Sequence, residues 1–154
     1  MNISSCETIE QISSTYSAPH KETRVSCRAI VVNDGKMLFS NETKTDVYMS
    51  PGGSLEDGET LEECCVRELM EETGFIVKPL KPFITVKEYC YDILYISHYF
   101  ICEITGECEC SLTETESFKG MAPAWLDFDK TLEIFGIYKQ LHPDKESLYL
   151  REFT

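Results

Sequence analysis

Residues 53–75 read GSLEDGETLEECCVRELMEETGF, and the sense of the whole chain turns on how this stretch folds. Thr60 is a strong helix N-cap, and Glu63 three positions on completes a capping box. Gly74 stands where a helix end calls for a left-handed residue. The spacing predicts a helix over Leu61–Thr73. At roughly 100° per residue, Glu68, Glu71 and Glu72 share one arc of that helix. Glu68 and Glu72 are a like-charged i,i+4 pair, which costs roughly 0.2–0.5 kcal/mol. Glu71 and Glu72 also lie at the negative end of the helix dipole, where each costs roughly 0.3–1 kcal/mol if uncompensated. A helix selected for stability alone would carry Lys or Arg there. A bound divalent cation removes both penalties, and hard carboxylate oxygens without a neighbouring His or Cys favour magnesium or manganese over zinc. A solvated acidic face on an acidic protein is the competing reading of the helix alone. Cys65, Val66, Leu69 and Met70 make the apolar arc expected to face a core, while Leu61 and Cys64 share the acidic side.

The flanking sequence supplies strands. Arg24–Val32 reads as a strand, Asn33-Asp34-Gly35 as a hairpin turn and Met37–Ser40 as the returning strand. Val47–Met49 is a short strand entering the tight loop Ser50-Pro51-Gly52-Gly53. Phe75–Val77 opens another, and Pro79 and Pro82 are expected to break the segment before a strand at Phe83–Tyr89. Ile93–Ile104 alternates Leu94, Ile96, His98, Phe100, Cys102 and Ile104 on one face, with His98 expected as a satisfied core histidine. Gly106–Gly120 reads as a long acidic loop, Ala122–Leu126 as a strand, Asp129–Leu141 as a helix and Asp144–Phe153 as a further helical turn or two. Residues 1–22 are polar and rich in Ser and Thr, and read as a flexible arm or an irregular edge piece that could add a strand to a second copy in a homodimer. Residues 23–154 read as one α/β domain with a mixed sheet.

Composition narrows the function classes. The chain carries 14 basic and 27 acidic residues, a net charge of −13, with 42% hydrophobic residues over 154 positions. That suits one domain with its own core. It argues against a nucleic acid polymer or an anionic membrane as partner, because the basic residues are scattered. Ile93–Ile104, the most apolar run, is too short to span a bilayer. Residues 1–5 lack the pattern of a secretion signal, so the eight cysteines are expected as free thiols in a reducing cytoplasm. Cys64-Cys65 and Cys108-x-Cys110 lack the spacing of a zinc or redox pair.

The wider spacing singles out one family. Gly53, Glu59, Arg67, Glu68, Glu71, Glu72 and Gly74, with Leu69 and Phe75 at the bulky positions, resemble the complete signature of the Nudix hydrolases. Chance occurrence of such a pattern is on the order of 10⁻⁷. The resemblance implies an α/β/α sandwich with a mixed sheet. It implies a metal-dependent pyrophosphohydrolase that breaks the P–O–P bridge of a nucleoside diphosphate linked to another moiety, with Mg²⁺ or Mn²⁺ as cofactor. A catalytically silent nucleotide-binding domain, acting as sensor or interaction module, is the alternative. By the resemblance, Glu71 and Glu72 are principal metal ligands, and Glu68 is a further ligand or the base. Arg67 orients a glutamate of the motif, Glu59 is a supporting carboxylate, and the Gly53 carbonyl reaches the metal. A glutamate on a later loop, Glu116 or Glu114, is expected as a ligand or base.

The substrate is less defined. Tyr91 lies 16 residues past Phe75, a distance similar to that of a tyrosine in members that cut diadenosine polyphosphates. The proline typical of ADP-ribose members and the motif of NADH-cleaving members are absent from this region. Phe39, Tyr48 and Trp125 are candidates for stacking on a base.

Overall fold

A helix that ends in two glutamates needs particular neighbours, and the computed structural model, which describes residues 1–141, shows what they are. The helical turns expected over residues 144–153 lie outside the described residues. Helix α1 spans Leu61–Thr73 as the spacing predicts. The Glu63 N–H donates to Thr60 Oγ1 (3.1 Å) and the Thr60 N–H to Glu63 Oε2 (2.9 Å), which closes the capping box. Gly74 ends the helix at φ 78°, its N–H donating to the Met70 carbonyl.

The strands are β1 (Glu7–Ile12), β2 (Glu22–Ile30), β3 (Val32–Asn33), β4 (Lys36–Glu42), β5 (Val47–Met49), β6 (Gly52–Ser54), β7 (Phe75–Cys90), β8 (Ile93–Glu107) and β9 (Met121–Asp127). Five of them form a mixed sheet in the order β1-β7-β8-β2-β6, parallel at β1–β7 and β2–β8 and antiparallel elsewhere. The others form an antiparallel sheet in which β4 pairs with β3, β5 and β9. The chain changes sheets at the buried Val31, between β2 and β3. Helix α1 packs on β2, β6, β7 and β8 of the first sheet and on β9 of the second. Helix α3 (Phe128–Leu141) packs on β4 and β9, with Phe39 and Phe135 at 5.5 Å between ring centroids. Among the described residues no helix is long and apolar enough to cross a membrane.

Four expectations need correction. Residues 7–12, expected within a flexible arm or an irregular edge piece, form a regular edge strand, β1, and pair in parallel with Ile84–Tyr89. Pro79 and Pro82 do not divide β7; each sits beside a register shift, where a missing N–H costs no ladder bond. The acidic loop contains a short helix, α2 (Glu114–Lys119), capped by Thr113 and Glu116. The buried stripe of α1 is also rotated. Met70 is exposed, whereas Cys64 is buried with Cys65, Leu69, Glu72 and Thr73.

The core joins Cys27, Ala29, Val31, Leu38, Leu69, Val77 and Phe100 to the buried cysteines of α1 and β8. All eight thiols are free. Cys65 Sγ lies 3.8 Å from Cys102 Sγ. A thiol hydrogen bond followed by burial pushes Cys65 well above the usual range, and a hydrogen bond with Cys64 does the same for Cys27. Such thiols pack as small hydrophobes. His98 is satisfied by Thr85 Oγ1 at 3.0 Å, and burial holds its pKa down.

Gly74 offers a direct check of the helix end. A Cβ there would stand 2.6 Å from the Cys108 carbonyl oxygen, whereas at Gly58, also at positive φ, a Cβ would meet open space. Gly58→Ala is expected to cost about 1–2 kcal/mol from backbone strain alone. Gly74→Ala should lose that and roughly 1 kcal/mol more from the clash, read as a larger drop in denaturation midpoint.

Candidate active site

The buried stripe of α1 places a carboxylate where a hydrophobe is expected. Glu72 lies between Leu69 and Thr73 on the covered face and is 5% exposed. The N–H of Gly52 donates to Glu72 Oε2 at 3.0 Å. Burial pushes the Glu72 pKa up to about 7, and the Ser40 hydroxyl, the Gly52 N–H and the Arg28 charge offset this only in part. Ser40 Oγ closes no full hydrogen bond among the described residues.

The loop that meets this helix is built of glycine because the approach is close. A Cβ on Gly52 would strike the Cys27 carbonyl oxygen and the Arg28 backbone, and one on Gly53 would strike the Glu68 carboxylate. Glu68 therefore lies directly against the main chain of Gly53. Its pKa is raised, first by burial, and further by the charges of Glu71 and Glu116, while Arg67 pulls it down.

Arg67 is the organising cation. Its Nη1 donates to Glu68 Oε1 (2.9 Å) and to Glu71 Oε2 (3.2 Å), one helical turn on. Its Nε and Nη2 donate to the two oxygens of Glu59 at 2.7 and 3.0 Å, and Nη2 also reaches the Ser54 carbonyl at 2.9 Å. This two-pronged grip holds the Glu59 carboxyl below the usual range and the guanidinium above its own. Glu59 also accepts from the Glu56 N–H. One arginine thus ties the loop before α1 to two of the helix glutamates.

Among the described residues, no three His, Cys, Asp or Glu side chains converge as a ready-made ion site. Glu68 and Glu71 are instead turned onto Arg67, which stands among them as a cation. The donor set suits a hard ion: three carboxylates on one stretch of helix, and a glycine main chain open to close approach. Helix α2 directs the charge of Glu116 toward this cluster, where it raises the pKa of both Glu68 and Glu72. Glu116 also closes the α2 capping box, and Glu114 is exposed at the start of α2.

The stacking candidates separate. Phe39 is buried against Phe135 and serves the interior, whereas Trp125 is half-buried, packs edge-on to Phe75 at 5.9 Å and lines a surface cleft with Asn33 and Lys36. Tyr48 is half-buried. Tyr91 is exposed in the β7–β8 turn. That turn lies beside Glu22, six residues along β2 from Arg28 and so about 20 Å from the glutamate cluster. Two residues that sequence spacing did not suggest are Arg28, whose charge reaches Glu72, and Arg24 on the same face of β2. Their shared face followed from the period-two pattern of β2, but the nearness of Arg28 to Gly52 depended on the β2–β6 pairing.

Comparison with known proteins identifies the family. The model of the NUDIX domain matches residues 22–149. The chain is 46% identical over 55 residues to an NAD-capped RNA hydrolase, NudC, of Vibrio atlanticus, covering 34% of this chain and 20% of that protein. It is 42% identical over 57 residues to an ADP-ribose pyrophosphatase of Methanocaldococcus jannaschii, covering 35% and 34%. The match thus spans about a fifth to a third of the length of these relatives. A NUDIX hydrolase from Nitrosomonas europaea superposes with a TM-score of 0.61 at 24% identity, over 71% of this chain and 75% of that one. With a family model that covers most of the sequence, this chain belongs to the NUDIX domain family.

Proposed function

We propose that the chain is a divalent-metal-dependent pyrophosphohydrolase that cleaves the P–O–P linkage of a nucleoside diphosphate joined to another moiety. Glu72 carries this reading. Its carboxylate is nearly inaccessible, its pKa stands at about 7, and it lies in a last helical turn that holds no basic residue. Burying such a group is costly unless a positive charge joins it.

Glu68, Glu71 and Glu72, with the Gly53 carbonyl, would hold the ion. When bound, Mg²⁺ or Mn²⁺ supplies charge neutralisation at the phosphate oxygens and lowers the pKa of water. Arg67, gripped by Glu59, keeps Glu68 and Glu71 oriented and can release them toward the ion without leaving the cluster. Water oxygen bonds to one phosphorus as the bridging P–O bond breaks, and the departing phosphate takes the bonding electrons. The proton of water passes to Glu68 or Glu116; burial raises the Glu68 pKa, which makes its carboxylate the stronger base. Relatives named NAD-capped RNA hydrolase and ADP-ribose pyrophosphatase support a nucleotide substrate. The net charge of −13 supports a small nucleotide over a nucleic acid chain.

With magnesium and a panel of nucleoside triphosphates, dinucleoside polyphosphates and nucleotide sugars, product formation is expected for at least one class. Glu59→Gln should lower metal affinity or turnover by roughly 10–100-fold. Glu72→Gln should lower turnover further while circular dichroism stays unchanged. Full activity of the Glu72 variant would overturn the assignment.

The Glu72 pKa also sets a pH dependence. Its folded value is raised above the unfolded one, so the stability it confers is complete below about pH 4.5 and is lost as pH rises through about 7. The shift corresponds to about 3 kcal/mol. In metal-free buffer the wild type should therefore lose stability relative to Glu72→Gln between pH 5 and 7.5. Added magnesium should reverse the trend, as read by thermal denaturation.

A further inference from the structure

The mixed sheet has two faces. One carries Cys27, Ala29, Phe100 and Cys102 and packs on α1. On the other, the register places Arg24, Ser26 and Arg28 of β2 opposite Tyr95, Ser97 and Tyr99 of β8, with Ser54 of β6 beside Ser26. Arg24, Ser26, Arg28, Ser54, Tyr95 and Ser97 line a cleft of about 200 Å³ on this face. Two guanidinium groups in one cleft are unusual on a surface of net charge −13.

The cleft adjoins the glutamate cluster. Arg28 lies against Gly52, close enough that a Cβ there would stand 2.9 Å from Arg28 Cγ. Its Nη1 donates to the Ser50 carbonyl at 2.6 Å, and its charge reaches Glu72. Its Nε is buried without a hydrogen-bond partner among the described residues. That is an unfilled donor on the wall between the cleft and the site. At the far end Arg24 sits over the Tyr95 ring at 5.7 Å and is held by Glu22 at 2.8 and 3.3 Å. Both members of that pair are solvent-exposed, so the pair is weak and an incoming anion can displace it. Between the arginines, Ser26 and Ser97 hydroxyls face each other at 3.0 Å and can turn outward as donors.

We propose that this cleft is a polyphosphate subsite, and that the substrate carries three or more phosphates in a row, as a nucleoside triphosphate or dinucleoside polyphosphate does and a nucleotide sugar does not. Donors line the cleft at both ends, the chemistry that recognises phosphate oxygens. Its volume is below the roughly 300–1,000 Å³ of pockets that enclose a drug-sized ligand. Arg24 and Arg28 stand four residues apart on one strand, about 13 Å between Cα positions, a span for a row of phosphates rather than for one. A chain with one phosphate at Glu72 and Gly53 would have Arg28 beside that phosphate and would run past Ser54 toward Arg24. This assignment rests on the hydrolase reading for its place in catalysis, but the cleft's affinity can be tested without it.

Calorimetry with inorganic triphosphate in EDTA excludes the metal from the measurement. The wild type should bind. Arg24→Gln and Arg28→Gln should each weaken binding at least tenfold, Glu22→Gln should tighten it by freeing Arg24, and Lys78→Gln, a charge removed from exposed β7, should change it less than twofold. Absent binding, or a loss as large for Lys78→Gln as for Arg24→Gln, overturns the subsite. In the magnesium assay, Arg24→Gln should lower kcat/KM for ATP relative to ADP-ribose at least tenfold, chiefly through KM. An unchanged ratio, with inorganic phosphate bound at the same arginines, would make the cleft a site for free anion and overturn its role in substrate choice. If the cleft binds triphosphate as described while the wild type hydrolyses neither nucleotide, the hydrolase reading fails and the anion site stands.

Discussion

The hydrogen bond from the Gly52 N–H to the buried Glu72 carboxylate is the contact on which the surrounding structure depends. It brings the last turn of α1 against β6, and it does so with a charged group in the place of a hydrophobe. Everything near it follows from that choice. Gly52 has no room for a side chain because β2 lies beneath it, and Gly53 has none because Glu68 lies above. Arg67 must then hold the outer glutamates, and Glu59 must hold Arg67, or the helix would carry unbalanced negative charge along the whole of that side. The arrangement is costly as a scaffold, a cost that the proposed cation would offset; functional sites commonly depart in this way from the rules that govern the rest of a fold.

What could be read in the sequence was what local chemistry dictates. The ends of α1 were legible because a capping box and a left-handed glycine act within three or four residues. The hairpin at Asp34-Gly35 was legible for the same reason, both residues taking positive φ. Helix α2 carries the same signal, Thr113 followed by Glu116, but the surrounding acidic residues hid it. Strand β7 runs through both prolines because proline excludes a ladder bond only where one is required, and register shifts remove the requirement. The buried face of α1 could not be placed from amphipathicity, since its acidic and apolar arcs overlap at Glu72.

The glutamates and Arg67 were legible as a set, because all lie within one short segment whose spacing is distinctive. Their environment was not. That Glu72 is buried, that Arg28 faces it, and that Arg24 shares a cleft with Tyr95 depend on pairings between β2, β6 and β8, which lie far apart in the chain. Periodicity can say which residues share a face, but it does not say which strand lies beside them.

Both parallel pairings also bear on the order in which the fold can assemble. Glu7 lies opposite Ile84 and Glu22 opposite Ile93, so β1 and β2 wait for partners synthesised long after them. Closing such wide loops is entropically unfavourable until the β7–β8 hairpin exists to receive both strands. In the folded sheet both early strands pair with that hairpin, β1 with β7 and β2 with β8. While it is still within the ribosome, the early strands offer unsatisfied backbone edges to any neighbouring chain, and the charged residues of β1 limit what can adhere to them.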